Sequence, residues 1–243
     1  MCDSKFNLKP IFSGLQKFTT MDDQGYIGST FFTGGCNFRC PYCHNPEFVN
    51  PNEIKYLSKD YFIEFLNNRK GKIESIIICG GEPTIHENLI EWLKYIKHLG
   101  YRIKLDTNAT NTKMLKEIIK NKLVDYFAID YKAPKNNYFK IIQNRNINVL
   151  NILENISLIV NSGIDYEIRT TIHSDLLNKD DIELMIKELK EIKVENYFLQ
   201  AFTNPDKKMV GEVSIKENSK EIIKELLPTL KLNFKKYDLR NSD

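Results

Sequence analysis

An α/β fold built on a parallel sheet is what this 243-residue chain predicts, and three observations predict it. Short apolar runs alternate with longer stretches whose apolar residues recur three and four apart, the periods of buried strands and amphipathic helices. Glycines stand where those helices should stop, at Gly71, Gly100 and Gly163. Polar residues able to bind or react collect just after the strands. Parallel strands put their C-terminal ends on one edge, where such folds bind ligands. The length suits one barrel-sized domain, and 42% hydrophobic residues suffice for its core.

Residues 1–28 carry Gly14, Gly25 and Gly28 and read as a lead-in with short extended pieces. Ser29-Thr30-Phe31-Phe32-Thr33 is the first strand, closed by Gly34-Gly35. It delivers the run Cys36-Asn37-Phe38-Arg39-Cys40-Pro41-Tyr42-Cys43-His44-Asn45. Pro46 and Pro51 keep the next stretch irregular, and Ser58 caps a helix whose apolar face is Tyr61, Phe62, Phe65 and Leu66. A strand-helix unit then repeats. Residues 74–79 form a strand ending in Gly80-Gly81-Glu82-Pro83, and Leu89, Leu93, Ile96 and Leu99 line its helix. The strand at 101–105 ends in Asp106-Thr107-Asn108, with Met114, Leu115, Ile118 and Ile119 on the helix after it. The strand at 124–129 ends in Asp130-Tyr131-Lys132, followed by a helix with Val149, Ile152, Ile156 and Ile159. Residues 165–171 lead past Arg169 to His173, then to a helix with Ile182, Met185, Ile186 and Leu189. Residues 195–199 close the series at Gln200, the sixth strand. Residues 203–243 add a helix around Ile222, Ile223, Leu226 and Leu227 and an extended run, read as cover for the open sheet edge. His86 and His98 read as surface residues of a helix.

Three of the five cysteines fall within eight positions, spaced C-x3-C-x2-C. Soft thiolates select iron-sulfur clusters, zinc or copper(I). Structural zinc takes four protein ligands and a four-iron cluster one per iron, so three thiols match neither count. His44 follows Cys43 directly and is badly placed to be a fourth ligand. The loop therefore reads as a zinc site or as a cluster with one iron left open, and an open metal position is where chemistry happens. Cys2 and Cys79 are isolated and read as incidental or packed thiols. With no signal peptide and no membrane-length apolar run, a reducing, cytoplasmic setting is expected.

The net charge of +3, from 35 basic and 32 acidic residues, favours neither nucleic acid nor a membrane surface as partner. Lys207-Lys208 and Lys235-Lys236 read as solvated faces. At the strand ends, Gly80 and Gly81 can let backbone approach a ligand, and Glu82 can accept from an ammonium group. Asp106 and Asp130 could bind ribose hydroxyls, hold a cation or cap helices. Lys132 and Arg169 suit a carboxylate or a buried ion pair. His173 reads as a loop histidine.

The cysteine loop with an aromatic before its last cysteine, together with Gly80-Gly81-Glu82-Pro83, resembles the radical S-adenosylmethionine (radical SAM) superfamily over residues 12–202. More narrowly, Gly14-Leu15-Gln16-Lys17-Phe18-Thr19-Thr20-Met21-Asp22 and Cys43-His44-Asn45-Pro46-Glu47 are similar to activating enzymes of glycyl-radical enzymes, above all those serving anaerobic ribonucleoside-triphosphate reductase. The resemblance implies an α/β fold of the partial (β/α)6 TIM-type barrel kind. It implies a single radical SAM domain over 1–243, with a core of about residues 26–202 and an extension at 203–243. It also implies that Cys36, Cys40 and Cys43 ligate three irons of a 4Fe-4S cluster while S-adenosylmethionine (SAM) chelates the fourth. Backbone at Tyr42 would touch adenine, and Gly80, Gly81 and Glu82 would meet the methionyl ammonium. Asp106, Asn108 and Lys132 would lie near ribose and carboxylate, and Asp106 with Asp130 would match a monovalent-cation site. His173 and Gln200 match loosely.

Relatives with a ferredoxin-like insert carry further cysteine sets. This chain carries none, so one cluster is expected. The implied reaction is reductive cleavage of SAM to a 5′-deoxyadenosyl radical, which takes hydrogen from a backbone glycine of a partner enzyme, with flavodoxin or ferredoxin as electron donor. A radical SAM enzyme acting on a small molecule, like the deazaguanine-forming enzymes, an activase of a pyruvate formate-lyase-like enzyme and a zinc-binding non-enzyme are the alternatives.

Overall fold

Ile76, Ile77 and Ile78 are almost completely buried, the outcome expected where a β-branched run is covered on both faces of a parallel sheet. They form the middle of a strand in the computed structural model, which describes residues 5–50, 52–204, 209–214 and 217–241. Cys2, Pro51 and Lys207-Lys208 lie outside the described residues. The elements follow in order: β1 (Phe12–Thr19), β2 (Gly28–Thr33), α1 (Lys59–Arg69), β3 (Ser75–Gly80), α2 (Leu89–His98), β4 (Arg102–Thr107), α3 (Thr112–Lys120) and β5 (Tyr126–Asp130). After these come α4 (Tyr138–Ile142), α5 (Val149–Val160), β6 (Asp165–Ile172), α6 (Lys179–Glu191), β7 (Asn196–Ala201), α7 (Ser219–Asn233) and β8 (Lys236–Arg240). The strands lie in one sheet in chain order, from β1 to β8. The six predicted strands are β2 to β7.

Two strands lie outside these six, and the second, β8, is the extended run expected in the C-terminal extension. β1, read from sequence as loose lead-in, pairs antiparallel with β2, with register breaks between Phe12 and Gly14 and between Gln16 and Thr19. Its half-exposed, glycine-containing pattern carries little of the apolar alternation that marks a strand. β8 pairs parallel with β7, placing Arg240 beside Gln200. α4, five residues long, is too short for periodicity to reveal.

The chain divides into two compact units. The first comprises Met1–Asn37, Glu47–Thr107 and Asn111–Phe127. There β2, β3 and β4 run parallel, with Phe31 beside Ile78 and Ile78 beside Leu105. Aromatic rings pack its core: Phe12 lies 5.1 Å from Phe31 and 5.0 Å from Trp92, and Phe31 lies 4.9 Å from Phe62. Ser58 caps α1 by accepting from the Tyr61 N–H at 3.3 Å, while Tyr61 itself is exposed on a face whose buried members are Phe62, Phe65 and Leu66.

The second unit comprises Phe38–Pro46, Asn108–Thr110 and Ala128–Asp243. β6, β7 and β8 run parallel in it, over a core that includes Ile156, Ile168, Met185 and Leu199. Buried Tyr131 donates its hydroxyl proton to Glu188 at 2.5 Å, and Tyr197 donates to Thr170 at 2.8 Å, so both rings are buried with their polar ends satisfied. Among the described residues, no helix is long and apolar enough to cross a membrane.

Ala109 adopts φ +56°, a left-handed conformation costly for a residue with a side chain. Buried Asn155 of α5 donates to its carbonyl at 2.8 Å and holds the turn. Asn155→Ala leaves that buried carbonyl without this donor and is expected to lower stability by about 1–3 kcal/mol. Chemical denaturation, followed by circular dichroism, checks this.

Candidate functional site

The first unit carries Cys36, Gly80, Gly81, Glu82 and Asp106. Gly35, at φ +92°, turns the chain after β2, and its N–H donates to the Phe48 carbonyl at 2.7 Å. The Gly34 carbonyl accepts from the Tyr56 hydroxyl at 3.3 Å and meets His86 Nε2 at 2.7 Å. His86 is thus tied to the turn that presents Cys36, not a surface residue of a helix. Burial lowers its pKa, keeping the ring neutral and bonded.

The paired glycines have a structural cause. Gly80 sits at φ +108°, and a Cβ there would come within 2.5 Å of the Thr33 backbone nitrogen. A Cβ on Gly81 would collide with the Gly35 carbonyl. Two hydrogen bonds hold this approach: Gly81 N–H to Thr33 O at 2.9 Å and Glu82 N–H to Gly35 O at 2.8 Å. A Cβ at either glycine would therefore meet the protein's own backbone.

Glu82 is 1% exposed. Its Oε1 accepts from the Thr84 N–H at 3.0 Å, the Thr84 hydroxyl at 2.5 Å and the Thr107 hydroxyl at 2.7 Å. The carboxylate so caps the single turn Pro83–Ile85 and joins β3 to the end of β4. Motif reading passed over Thr84 and took Thr107 only as part of a strand end. Threonine after a Glu-Pro turn was the one available clue.

The second unit carries Cys40, Tyr42, Cys43, Asn108, Asp130 and Lys132. Cys43 N–H donates to the Cys40 carbonyl at 3.0 Å, closing a tight turn. The turn is anchored on both sides, by Arg39 N–H to Ile142 O at 2.8 Å and Gly211 N–H to Pro41 O at 3.0 Å. Phe38 packs on Tyr138, and His44 packs on Phe202, which in turn meets His173 at 4.6 Å. His173 is fully buried: its Nδ1 accepts from Asp175 N–H at 3.2 Å and its Nε2 donates to Ser214 O at 3.0 Å. It stands in the loop just after β6, as the sequence reading has it, and ties that loop to Ser214. Asn108 Oδ1 accepts from the Thr110 hydroxyl at 2.7 Å, so part of its polar capacity shapes the turn after β4. Asn111, not Asp106, caps α3.

Asp130 is shared by two cations. Lys132 Nζ reaches Oδ2 at 3.0 Å and Arg169 Nε reaches Oδ1 at 3.2 Å. Burial pushes the Asp130 carboxyl up, but Lys132 and Arg169 outweigh it and hold it at about 2. A monovalent cation at Asp130 would compete with both side chains. Burial works against the Lys132 charge, yet Asp130, Tyr42 and Cys40 together raise its pKa well above the ordinary lysine range. Burial lifts the Cys40 thiol to about 11 against the pull of Lys132. Lys132 is therefore the fixed positive charge beside the cysteine loop.

Cys36, Cys40, Cys43 and Cys79 are all thiols and not half-cystines. Among the described residues, no three His, Cys, Asp or Glu side chains gather closely enough to hold a single metal ion. A four-iron cube takes its ligands at separate corners and needs no such cage. The donor set fits such a cube: three soft thiols on a glycine-bounded loop, with a buried cation beside one of them. Tyr42 adds a buried hydroxyl with no hydrogen-bond partner among the described residues, as expected next to a ligand.

Residues 30–192 match the model of the Radical SAM superfamily. A protein of Methanocaldococcus jannaschii, provisionally named a glycyl-radical enzyme activating enzyme, is 34% identical over 205 residues, 82% of this chain and 82% of its own length. A 7-carboxy-7-deazaguanine synthase of Clostridium acetobutylicum is 23% identical over 155 residues, 61% of this chain and 68% of the other. Among solved structures, Streptococcus suis SuiB bound to S-adenosylmethionine matches with a TM-score of 0.67 at 13% identity, over 85% of this chain and 48% of SuiB. The chain thus spans about half of SuiB and shares its fold. With its strands in the expected alternation and a family match over most of its length, the chain belongs to the radical SAM superfamily of enzymes.

Proposed function

We propose that this enzyme is an activase that generates a glycyl radical on a partner enzyme, in its finest reading an anaerobic ribonucleoside-triphosphate reductase. The observation that carries the activase reading is the 34% identity to a relative named as a glycyl-radical enzyme activating enzyme, spread over 82% of both chains. Cys43-His44-Asn45-Pro46-Glu47 adds to it. In this reading Cys36, Cys40 and Cys43 hold a 4Fe-4S cluster, and Tyr42, Gly80, Gly81, Glu82, Asp106, Asn108, Asp130 and Lys132 surround SAM. When bound, the cluster and SAM supply one-electron cleavage of the sulfonium and hydrogen abstraction from the partner's glycine.

The chain's own residues bind and orient. Lys132 offers its ammonium to the SAM carboxylate. Glu82, fixed by Thr84 and Thr107, holds the glycine turn in place. Buried Tyr42 and Phe38 keep water from the cysteine turn. The titratable groups of the second unit favour held charge over proton transfer. Burial pushes the Tyr42 and Tyr138 hydroxyls well up, and Lys132 stays cationic. Electrons would come from a flavodoxin or ferredoxin.

The test is anaerobic incubation of cluster-loaded enzyme with SAM, dithionite and a glycyl-radical reductase, read by electron paramagnetic resonance. A glycyl signal on the reductase is expected. SAM cleavage without any protein radical would favour the second reading, a small-molecule enzyme, for which the resemblance to the deazaguanine synthase speaks.

A further inference from the structure

Cys36 is reached from β2 through two glycines, Gly34 and Gly35. Glycine restricts its own backbone less than any other residue, so the pair by itself does little to fix where the cysteine stands. Neighbours must fix it, and all four backbone polar groups of the pair have partners. Gly34 N–H donates to Ile11 O at 3.1 Å, Gly35 N–H donates to Phe48 O at 2.7 Å, and Gly35 O accepts from Glu82 N–H at 2.8 Å. These three partners are backbone groups and do not depend on side-chain identity.

The fourth group is held by side chains. Gly34 O accepts from His86 Nε2 at 2.7 Å and from the Tyr56 hydroxyl at 3.3 Å. A carbonyl oxygen can only accept, so Nε2 carries the ring proton. Gly34 is buried, and a buried carbonyl left without a donor is costly. The two donors are unequal. The His86 bond is the shorter, while Tyr56 is 47% exposed and its hydroxyl is open to competition from water. The backbone of His86 is fixed on both sides, its N–H donating to Pro83 O at 3.2 Å and its carbonyl accepting from Leu89 N–H at 3.0 Å. The Tyr56 ring meets the imidazole edge-on, with centres 6.3 Å apart. Residues 82–86 thus hold both carbonyls of the glycine pair, Gly35 through the Glu82 N–H and Gly34 through the His86 ring.

We propose that His86 is a positioning residue for Cys36: by donating to the Gly34 carbonyl, it sets the course of a glycine turn with little stiffness of its own, and so fixes where that cysteine meets the cluster. This rests on the reading above that Cys36 holds one iron, and it extends the part played by the Gly-Gly-Glu-Pro turn from SAM to a ligand of the cluster itself. His86 touches neither cluster nor SAM in this scheme.

The test compares His86→Met with His86→Gln in the full chain. The two replacements are alike in length and bulk, and only glutamine keeps an N–H to donate. After anaerobic reconstitution, iron loss to excess bathophenanthroline is expected to run about tenfold faster in His86→Met than in the unaltered chain, the scale of one lost buried hydrogen bond. His86→Gln and Tyr56→Phe should each stay within about threefold, since a donor to Gly34 remains in both. The electron paramagnetic resonance of the dithionite-reduced cluster should keep its line shape in His86→Gln and change it in His86→Met. A role in stability alone would lower the melting temperature of the cluster-free chain in both variants without moving the resonance, and that result would overturn the proposal. Equal rates of iron loss in the Met and Gln variants would overturn it as well, because the donor would then not matter. Cys36→Ala separates these failures from failure of the reading beneath: if it assembles as much iron and sulfide as the unaltered chain, the assignment of Cys36 is wrong and the proposal falls with it. Should His86→Met fail to fold, His86→Phe, which keeps a ring without the donor, is read against His86→Gln by the same contrast.

Discussion

Cys40→Ala is expected to abolish cluster assembly. Anaerobic reconstitution of the unaltered chain should give about four iron and four sulfide per chain, the content of one 4Fe-4S cluster, and the variant should give less than about one of each. The reason lies in the turn. Cys40 is buried, its carbonyl accepts from Cys43 N–H, and the Lys132 charge works against burial to favour its thiolate. A metal site must gather deprotonated ligands, and with Cys40 gone the cation faces no thiolate. Cys79→Ala is the control, because that thiol belongs to β3 and its replacement should leave the iron content unchanged. Uptake of one zinc and no sulfide by the unaltered chain would overturn the cluster assignment.

Gly81→Ala should be the most damaging single methyl that can be added to the first unit. Its Cβ would meet the backbone of Gly35 and, at 2.8 Å, the carbonyl oxygen of Phe48. Backbone cannot swing aside as a side chain can, so a loss of about 3 kcal/mol or more is expected, at the top of the range for overpacking. Gly163→Ala is the comparison. Its φ is positive, at +76°, but open space surrounds its Cβ, so it should cost only the left-handed strain of about 1–2 kcal/mol. Thermal unfolding of both variants checks the difference, and similar melting temperatures would refute the collision argument. Because Gly81 N–H bonds to the end of β2 and Glu82 N–H to Gly35 in the turn after it, Gly81→Ala should also reduce iron retention by shifting the turn that carries Cys36.

Sequence pattern found the elements whose signal is internal to the chain segment. β3 declares itself through Ile76-Ile77-Ile78, and α5 and α6 through apolar residues three and four apart. β1 escaped because its pairing depends on β2 and its own residues are mostly half-exposed. At the site, the cysteine spacing was legible because three thiols so close have few other uses. What no spacing could show was the use made of neighbouring charges. Asp130 was legible as a polar residue at a strand end, but its division between Lys132 and Arg169 depends on β5 and β6 being adjacent. Glu167 and Arg240 are 73 residues apart, and only the parallel pairing of β6, β7 and β8 brings them together. The burial of the loop residue His173 was hidden for a similar reason, since its partner Ser214 comes from a segment 41 residues on.

The two breaks in the β1–β2 ladder have a consequence for behaviour in concentrated solution. A straight terminal strand offers an even row of donors and acceptors on which another molecule can build. Here irregular pairing falls at Phe12/Gly14 and again at Gln16/Thr19, and such bulges bend and overtwist a strand. An incoming chain would find hydrogen-bonding groups out of step within a few residues, so growth of the sheet into fibrils from this end is frustrated by geometry, with no charge needed to repel it.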